Sequence, residues 1–204
     1  MKKLSSQISA FALLLMASSC GSDTVYPQNE NGGKAVKSII EKKFDPEKQV
    51  EELEIKSKDE LYGELGKVTI VYWEGEKQME QVYSASEGFS DKLFEPEETF
   101  ASKSDILMSK NTKGKTAAIK TFDVEPIPSK VAEAVAFIPK EFENYALNKY
   151  VFSVDKNGKI QQQFTINTTK KGEGKTQTGR VERQNYYGFE FKVDENGKVV
   201  AVEE

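Results

Sequence analysis

The chain has no histidine and a single cysteine, Cys20, in 204 residues. Without histidine there is no Ser-His-Asp triad, no Cys-His pair and no imidazole ligand for a metal. One cysteine excludes an internal disulfide and leaves at most one thiolate for a metal site. Basic residues are in deficit, with 29 Lys and Arg against 33 Asp and Glu and a formal charge of −4. Such a chain has no overall attraction for nucleic acid or for anionic lipid. Long apolar runs are also lacking. The run from Ile8 to Ala17 spans about ten residues, whereas a membrane-crossing helix needs roughly 20. What is present is charge, at 30% of residues, together with 12 Phe and 8 Tyr. Those rings are enough to build a core and set the chain apart from a disordered composition.

The N-terminus reads as an address. Lys2 and Lys3 give a positive start, and Ile8–Ala17 gives a secretory apolar stretch. Small residues Ala17, Ser18 and Ser19 then lead into Cys20. This order resembles the type-II signal peptide of bacterial lipoproteins, in the relaxed form found in Bacteroidetes-type bacteria. The usual Leu three residues before the Cys is here Ala17. The resemblance implies cleavage after Ser19, lipidation of Cys20, and a cell-envelope location, with the outer membrane as the expected site. Acyl chains hold a protein through about 0.8 kcal/mol per buried CH₂. Loss of residues 1–19 removes two lysines and no acid, so the net charge moves from −4 to −6.

Residues 20–33 lack periodicity and are rich in Gly, Asn and Ser, which predicts a flexible tether. Within it Asp23-Thr24-Val25 resembles the short O-glycosylation signal of Bacteroidetes secreted proteins. Asn167-Thr168-Thr169 fits an N-glycosylation sequon, which in a bacterial lipoprotein is a chance match.

Beyond the tether, Ala35, Val36, Ile39, Ile40 and Phe44 recur at helical spacing, and Asp45-Pro46 stops the helix. Val50–Lys56, Val68–Trp73 and Met79–Ser84 read as strands, the second apolar on both faces and so expected to be a central strand covered on both sides, or at least one flanked by a partner face. Residues 87–110 read as loop, and Thr116–Phe122 as another strand. A second helix is expected from Ser129 as N-cap, with Val131, Ala134, Val135, Ile138 and Phe142 as its buried stripe and an end or kink just before Pro139. Alternation in Tyr150–Val154, Ile160–Ile166, Tyr187–Val193 and Val199–Ala201 then gives a meander.

Two turns in this meander share the pattern Asp-x-Asn-Gly-Lys, at Asp155–Lys159 and Asp194–Lys198. A two-residue Asn-Gly loop would pair Val154 with Gln161 and put the two apolar rows on opposite faces. A three-residue loop pairs Val154 with Ile160, Tyr150 with Phe164, Val193 with Val199 and Phe191 with Ala201. The rows then coincide. The turns are therefore predicted as type I with a terminal bulge, Gly158 and Gly197 taking positive φ.

The order helix, strands, loop, helix, strands predicts an α+β fold. Antiparallel sheets would each be covered by a helix, in two similar halves at 34–122 and 123–204. This plan resembles the PepSY-like and β-lactamase-inhibitor-like repeats of bacterial envelope proteins, over about residues 34–90 and 125–204. That resemblance implies binding or inhibition rather than catalysis.

Several catalytic and ligand motifs fail on spacing. Gly174-Lys175-Thr176 and Gly114-Lys115-Thr116 would need Gly at 169 and 109 to form a phosphate loop, and these are Thr169 and Ser109. An EF-hand would need Asp two residues before Asp155 and Asp194, where Ser153 and Lys192 stand. No cofactor is implied. Glu95, Glu97, Glu98, Glu141, Glu143, Glu182 and Glu190 supply carboxylates for a glycosidase, which needs no histidine. None is set in an apolar environment by the sequence. The Lys170–Lys175 stretch reads as a basic hairpin connection that could touch an anionic glycan. Tyr186 and Tyr187 are adjacent and point to opposite sides of a strand, as do Tyr72 and Trp73. Trp73, Tyr186 and Tyr187 are thus the candidate ligand contacts.

The expectation is a non-enzymatic, lipid-anchored envelope protein that holds a protein or glycan on a sheet face. Its partners would be the membrane, through the N-terminal lipid, and an envelope or extracellular protein or glycan, with no nucleic acid. A carboxylate-based glycan hydrolase and an outer-membrane assembly lipoprotein are the alternatives.

Overall fold

The computed structural model describes residues 24–85, 91–99, 115–178 and 181–202. The signal sequence, Cys20 and the Gly114 end of the failed phosphate-loop motif lie outside these residues. In chain order the elements begin with helix α1 (Gly32–Lys43), then β1 (Gln49–Val50), β2 (Glu52–Ser57), β3 (Leu65–Glu74) and β4 (Lys77–Ser84). Short strands β5 (Lys92–Leu93), β6 (Glu97–Glu98) and β7 (Ala117–Ala118) follow, then a 3-10 turn (Ile119–Thr121) and helix α2 (Ile127–Val135). The second part holds β8 (Phe142–Val154), β9 (Ile160–Lys170), β10 (Thr176–Thr178), β11 (Val181–Arg183), β12 (Tyr187–Val193) and β13 (Val199–Ala201).

The fold is α+β and mostly antiparallel sheet. Nine strands form one sheet in the order β13-β12-β9-β8-β2-β3-β4-β5, with β6 also on β4. The two expected halves therefore do not carry separate sheets. They are fused where β2 pairs with β8, with Leu53 opposite Phe152 and Ile55 opposite Tyr150. Strand β2 is thus a central strand bonded on both sides, to β3 and to β8.

Period-two alternation decides which side chains are inside. Leu53, Ile55, Val68, Ile70, Tyr150, Phe152, Phe164, Ile166 and Phe191 share one face and are buried. Val36, Ile40 and Phe44 of the first helical segment, and Ile127, Val131 and Ala134 of α2, close over that same face in a single core. Rings dominate its centre: Tyr150 stacks on Phe164 at 4.8 Å and Phe164 on Phe191 at 5.5 Å. The other face has no helix over it among the described residues. Strand β3 is central, between β2 and β4, but the expectation of cover on both sides is corrected, because Val71 and Trp73 are half-exposed.

The hairpins follow the predicted register. Val154 faces Ile160, Tyr150 faces Phe164, Val193 faces Val199 and Phe191 faces Ala201. Gly158 and Gly197 take φ of +83° and +76°. Three other segments differ from expectation. Helix α2 starts at Ile127, because Pro128 is tolerated in a first helical turn, and Ser129 Oγ donates to the Pro126 carbonyl instead of capping. Phe142 opens β8 and does not extend the helix. The strand expected at 116–122 shrinks to β7 and then coils into the 3-10 turn. The expected tether is also shorter. From residue 24 the chain is laid on the body, with Leu65 N–H donating to the Val25 carbonyl at 2.7 Å and Gly32 already helical.

Candidate functional site

Two surfaces stand out, the uncovered face of the sheet and one of its ends. On the uncovered face, antiparallel pairing lines up Glu54, Thr69, Val82, Val151 and Gln163 across five strands. A second row holds Glu52, Val71, Glu80 and Ser153. Val71, Val82 and Val151 are half-buried, and Thr69 is buried although it points away from the core. The face thus carries single valines set among carboxylates, Thr69, Ser153 and Gln163. Burial pushes the Glu52 carboxyl above its ordinary value, and the neighbouring Glu54 and Glu51 add to the shift.

Trp73 lies on the same face, opposite Gln78 at the β3–β4 hairpin. Its indole N–H donates to Glu51 Oε2 at 2.5 Å, and Gln78 Nε2 donates to the other oxygen of the same carboxylate. Thr99 Oγ1 donates to Gln78 Oε1 at 2.9 Å. One carboxylate therefore fixes the ring and the amide together, and the half-exposed indole is held in place before any ligand arrives.

The end of the sheet formed by the β2–β3, β8 and β9–β12 connections carries the other set. Among the described residues the exposed large apolar side chains are Tyr62, Phe137, Tyr145, Tyr186 and Tyr187, and all five lie at this end. Tyr62 belongs to the 58–64 connection, which Asn167 pins by donating Nδ2 to the Glu60 carbonyl at 2.9 Å. Asn167 is only 2% exposed, so the sequon is closed to modification. Tyr145 sits in a bulge of β8 next to Asn144, whose φ is +57° and whose Nδ2 donates to Thr169 Oγ1 at 2.8 Å. Tyr187 packs edge-on against Phe142 at 5.3 Å and donates its hydroxyl to Glu173 Oε1 at 3.0 Å. That bond raises the Tyr187 phenol above its ordinary value. Tyr186 precedes β12, so the expected alternation of Tyr186 and Tyr187 within one strand does not occur.

Two clefts of about 600 and 550 Å³ open here and share Leu61, Tyr62 and Gln184. Asp59 and Glu60 line the first, Glu143, Glu173, Lys170 and Lys175 the second. Glu173 Oε2 is buried and receives no hydrogen bond among the described residues.

The three candidate contacts are therefore split. Trp73 stands at one end of β3, and Tyr186 and Tyr187 lie at the other end of the sheet. Tyr62, Phe137 and Tyr145 were not singled out by sequence: Tyr62 lies in a connection, Phe137 just past the end of α2 and Tyr145 in the β8 bulge, so none belongs to a period that would mark it. The one signal for Tyr62 was the Leu61-Tyr62 pair following the charged Lys58-Asp59-Glu60 run. Of the carboxylates, Glu97 and Glu98 are exposed on β6, Glu190 accepts from Gln163 at 3.4 Å on the uncovered face, and Glu143 reaches a cleft. The Asp-x-Asn-Gly turns hold no cation geometry. Asp155 Oδ1 accepts from Asn157 N–H and Lys159 N–H, and Asp194 Oδ1 from Asn196 N–H and Lys198 N–H. No group of three metal-ligating acids occurs among the described residues, and no helix there is long and apolar enough to cross a membrane.

In comparisons with known proteins the chain matches no family model, no curated protein and no solved structure.

Proposed function

We propose that the chain is a lipid-anchored cell-envelope protein, held through Cys20, that binds a protein or glycan on the uncovered face of its sheet without transforming it. One observation carries this reading: both helices close over one face, while the other keeps half-exposed Val71, Val82 and Val151 and a pre-positioned Trp73. Single valines scattered among polar and charged side chains match the mixed composition of a non-obligate interface. A tryptophan fixed by its own hydrogen bond loses little entropy when a ligand lands on it.

The test is site-specific photo-crosslinking in intact cells, from Val151 and Glu54 on the uncovered face and from Ala132 on the exposed side of α2. A protein ligand gives adducts from the first two positions and none from the third. A sugar ligand gives no protein adduct but shifts Trp73 emission when solubilised peptidoglycan or lipopolysaccharide sugars are added. If neither occurs, or if Ala132 reacts equally, the face is not a binding surface. The anchor is tested separately: Cys20→Ala should move the protein from the membrane to the soluble fraction.

A further inference from the structure

We infer that the tyrosine-bearing end of the sheet lies flat on the bilayer and seats zwitterionic phospholipid headgroups in its two clefts. This rests on the proposed anchor at Cys20. The chain reaches the fold at this same end. Leu65 N–H holds the Val25 carbonyl at 2.7 Å, and the Gln28 side chain lies against Gly63, the residue after Tyr62. Only Gly21, Ser22 and Asp23 separate Cys20 from Thr24, so an extended chain sets Thr24 no more than about 14 Å from the anchored residue. That leash keeps this end at headgroup depth.

The side chains found there match that depth. Tyr62, Tyr145, Tyr186 and Tyr187 are each exposed by at least 37%, and Phe137 by 55%. Tyrosine is the ring suited to the lipid–water boundary, its face toward acyl chains and its hydroxyl toward water. The charge set chooses the headgroup. Four carboxylates, Asp59, Glu60, Glu143 and Glu173, line the clefts beside Lys170 and Lys175. An acidic balance repels anionic lipid, whereas mixed signs suit a headgroup carrying both phosphate and ammonium. Glu143 and Glu173 on the wall of the second cleft give that ammonium a negative surround, and the tyrosine faces attract the same cation. Trp73, eight residues up β3 from Leu65, stands about 26 Å farther along the strand, clear of the lipid.

The experiment uses the full lipidated chain in phosphatidylethanolamine–phosphatidylcholine vesicles whose acyl chains are brominated close to the glycerol. Tyr62→Trp and Tyr145→Trp are each made on a Trp73→Phe background, and their circular dichroism is compared with wild type. Each new indole should lose about half of its emission or more, as expected of a ring at the interface, while Trp73 of the wild-type chain keeps its own. Exchange of the zwitterionic lipid for phosphatidylglycerol should weaken the quenching. Vesicle-bound protein in which the new indoles stay bright, or in which Trp73 is quenched equally, overturns the orientation and leaves the anchor standing. Quenching that is unchanged or stronger on phosphatidylglycerol overturns the headgroup assignment. Wild-type protein that does not sediment with vesicles overturns the anchor and this inference together.

Discussion

Single residues in this protein are constrained by what sits directly beside them. Gly158 and Gly197 meet no neighbour where a Cβ would point, so only their positive φ resists substitution. Gly158→Ala should therefore cost on the order of 1 kcal/mol, read as a lower urea midpoint with unchanged slope. A wild-type midpoint would show that φ is free to relax. Glu52 behaves oppositely. Its carboxyl is raised above 4.5, chiefly by burial and then by Glu54 and Glu51. A folded value above the unfolded one means that ionisation costs stability. The cost is absent at pH well below 4.5, grows as pH rises, and is complete above the folded value. Glu52→Gln should thus raise the thermal midpoint at pH 7 and leave it unchanged near pH 3. The asparagine of the sequon shows why a motif read without its surroundings misleads: three residues match, but the amide is consumed in holding the 58–64 connection.

At the level of elements, the hairpins were legible because a one-residue change of loop length moves an apolar row to the wrong face. Register and turn type then follow from Val154, Phe152, Ile160 and Phe164 alone. Each Asx turn adds a carboxylate that accepts two backbone N–H groups, and the Lys159 N–H bond is first among the causes that lower Asp155 below 3.8. A depressed folded value gives stability above the unfolded one that is lost as pH falls through the folded one. Asp155→Ala should be less stable than wild type at pH 6, and the two should converge as pH is taken well below 3.8. In the layer beneath, Phe164 lies between Tyr150 and Phe191. Phe164→Ala removes both ring contacts and should cost about 3–5 kcal/mol, measured by equilibrium denaturation. Less legible were elements set by distant partners: the 116–122 segment has strand-like residues, yet Ile119 N–H goes to the Lys48 carbonyl and the chain coils.

For the whole molecule, the decisive pairing joins β2 to β8, whose facing residues Leu53 and Phe152 are far apart in sequence. Nothing local announces such a contact, so the chain reads as two halves although one nine-stranded sheet and one core hold both. The candidate surfaces were hidden for the same reason. The uncovered face is defined by where both helices do not go, and the tyrosine end gathers rings from four separate segments. Unfolding should accordingly be a single transition by fluorescence and circular dichroism alike. Fragments 24–122 and 123–204 should each fail to fold alone, because each would expose one side of the β2–β8 seam. A fragment with a cooperative transition of its own would show that the seam is dispensable.

The borders of the sheet have a further consequence. One outer border is the three-residue β13, and the other is divided between β5 and β6, each two residues long with Pro96 between them. Gln81 Nε2 is bonded to the Phe94 carbonyl in that gap. Among the described residues no outer strand exceeds three residues, and β13 covers only Phe191–Val193 of β12, so neither border offers a long unbroken template for another copy. In the proposed anchored state, where neighbours share one plane and collide often, interrupted borders keep them from polymerising strand to strand.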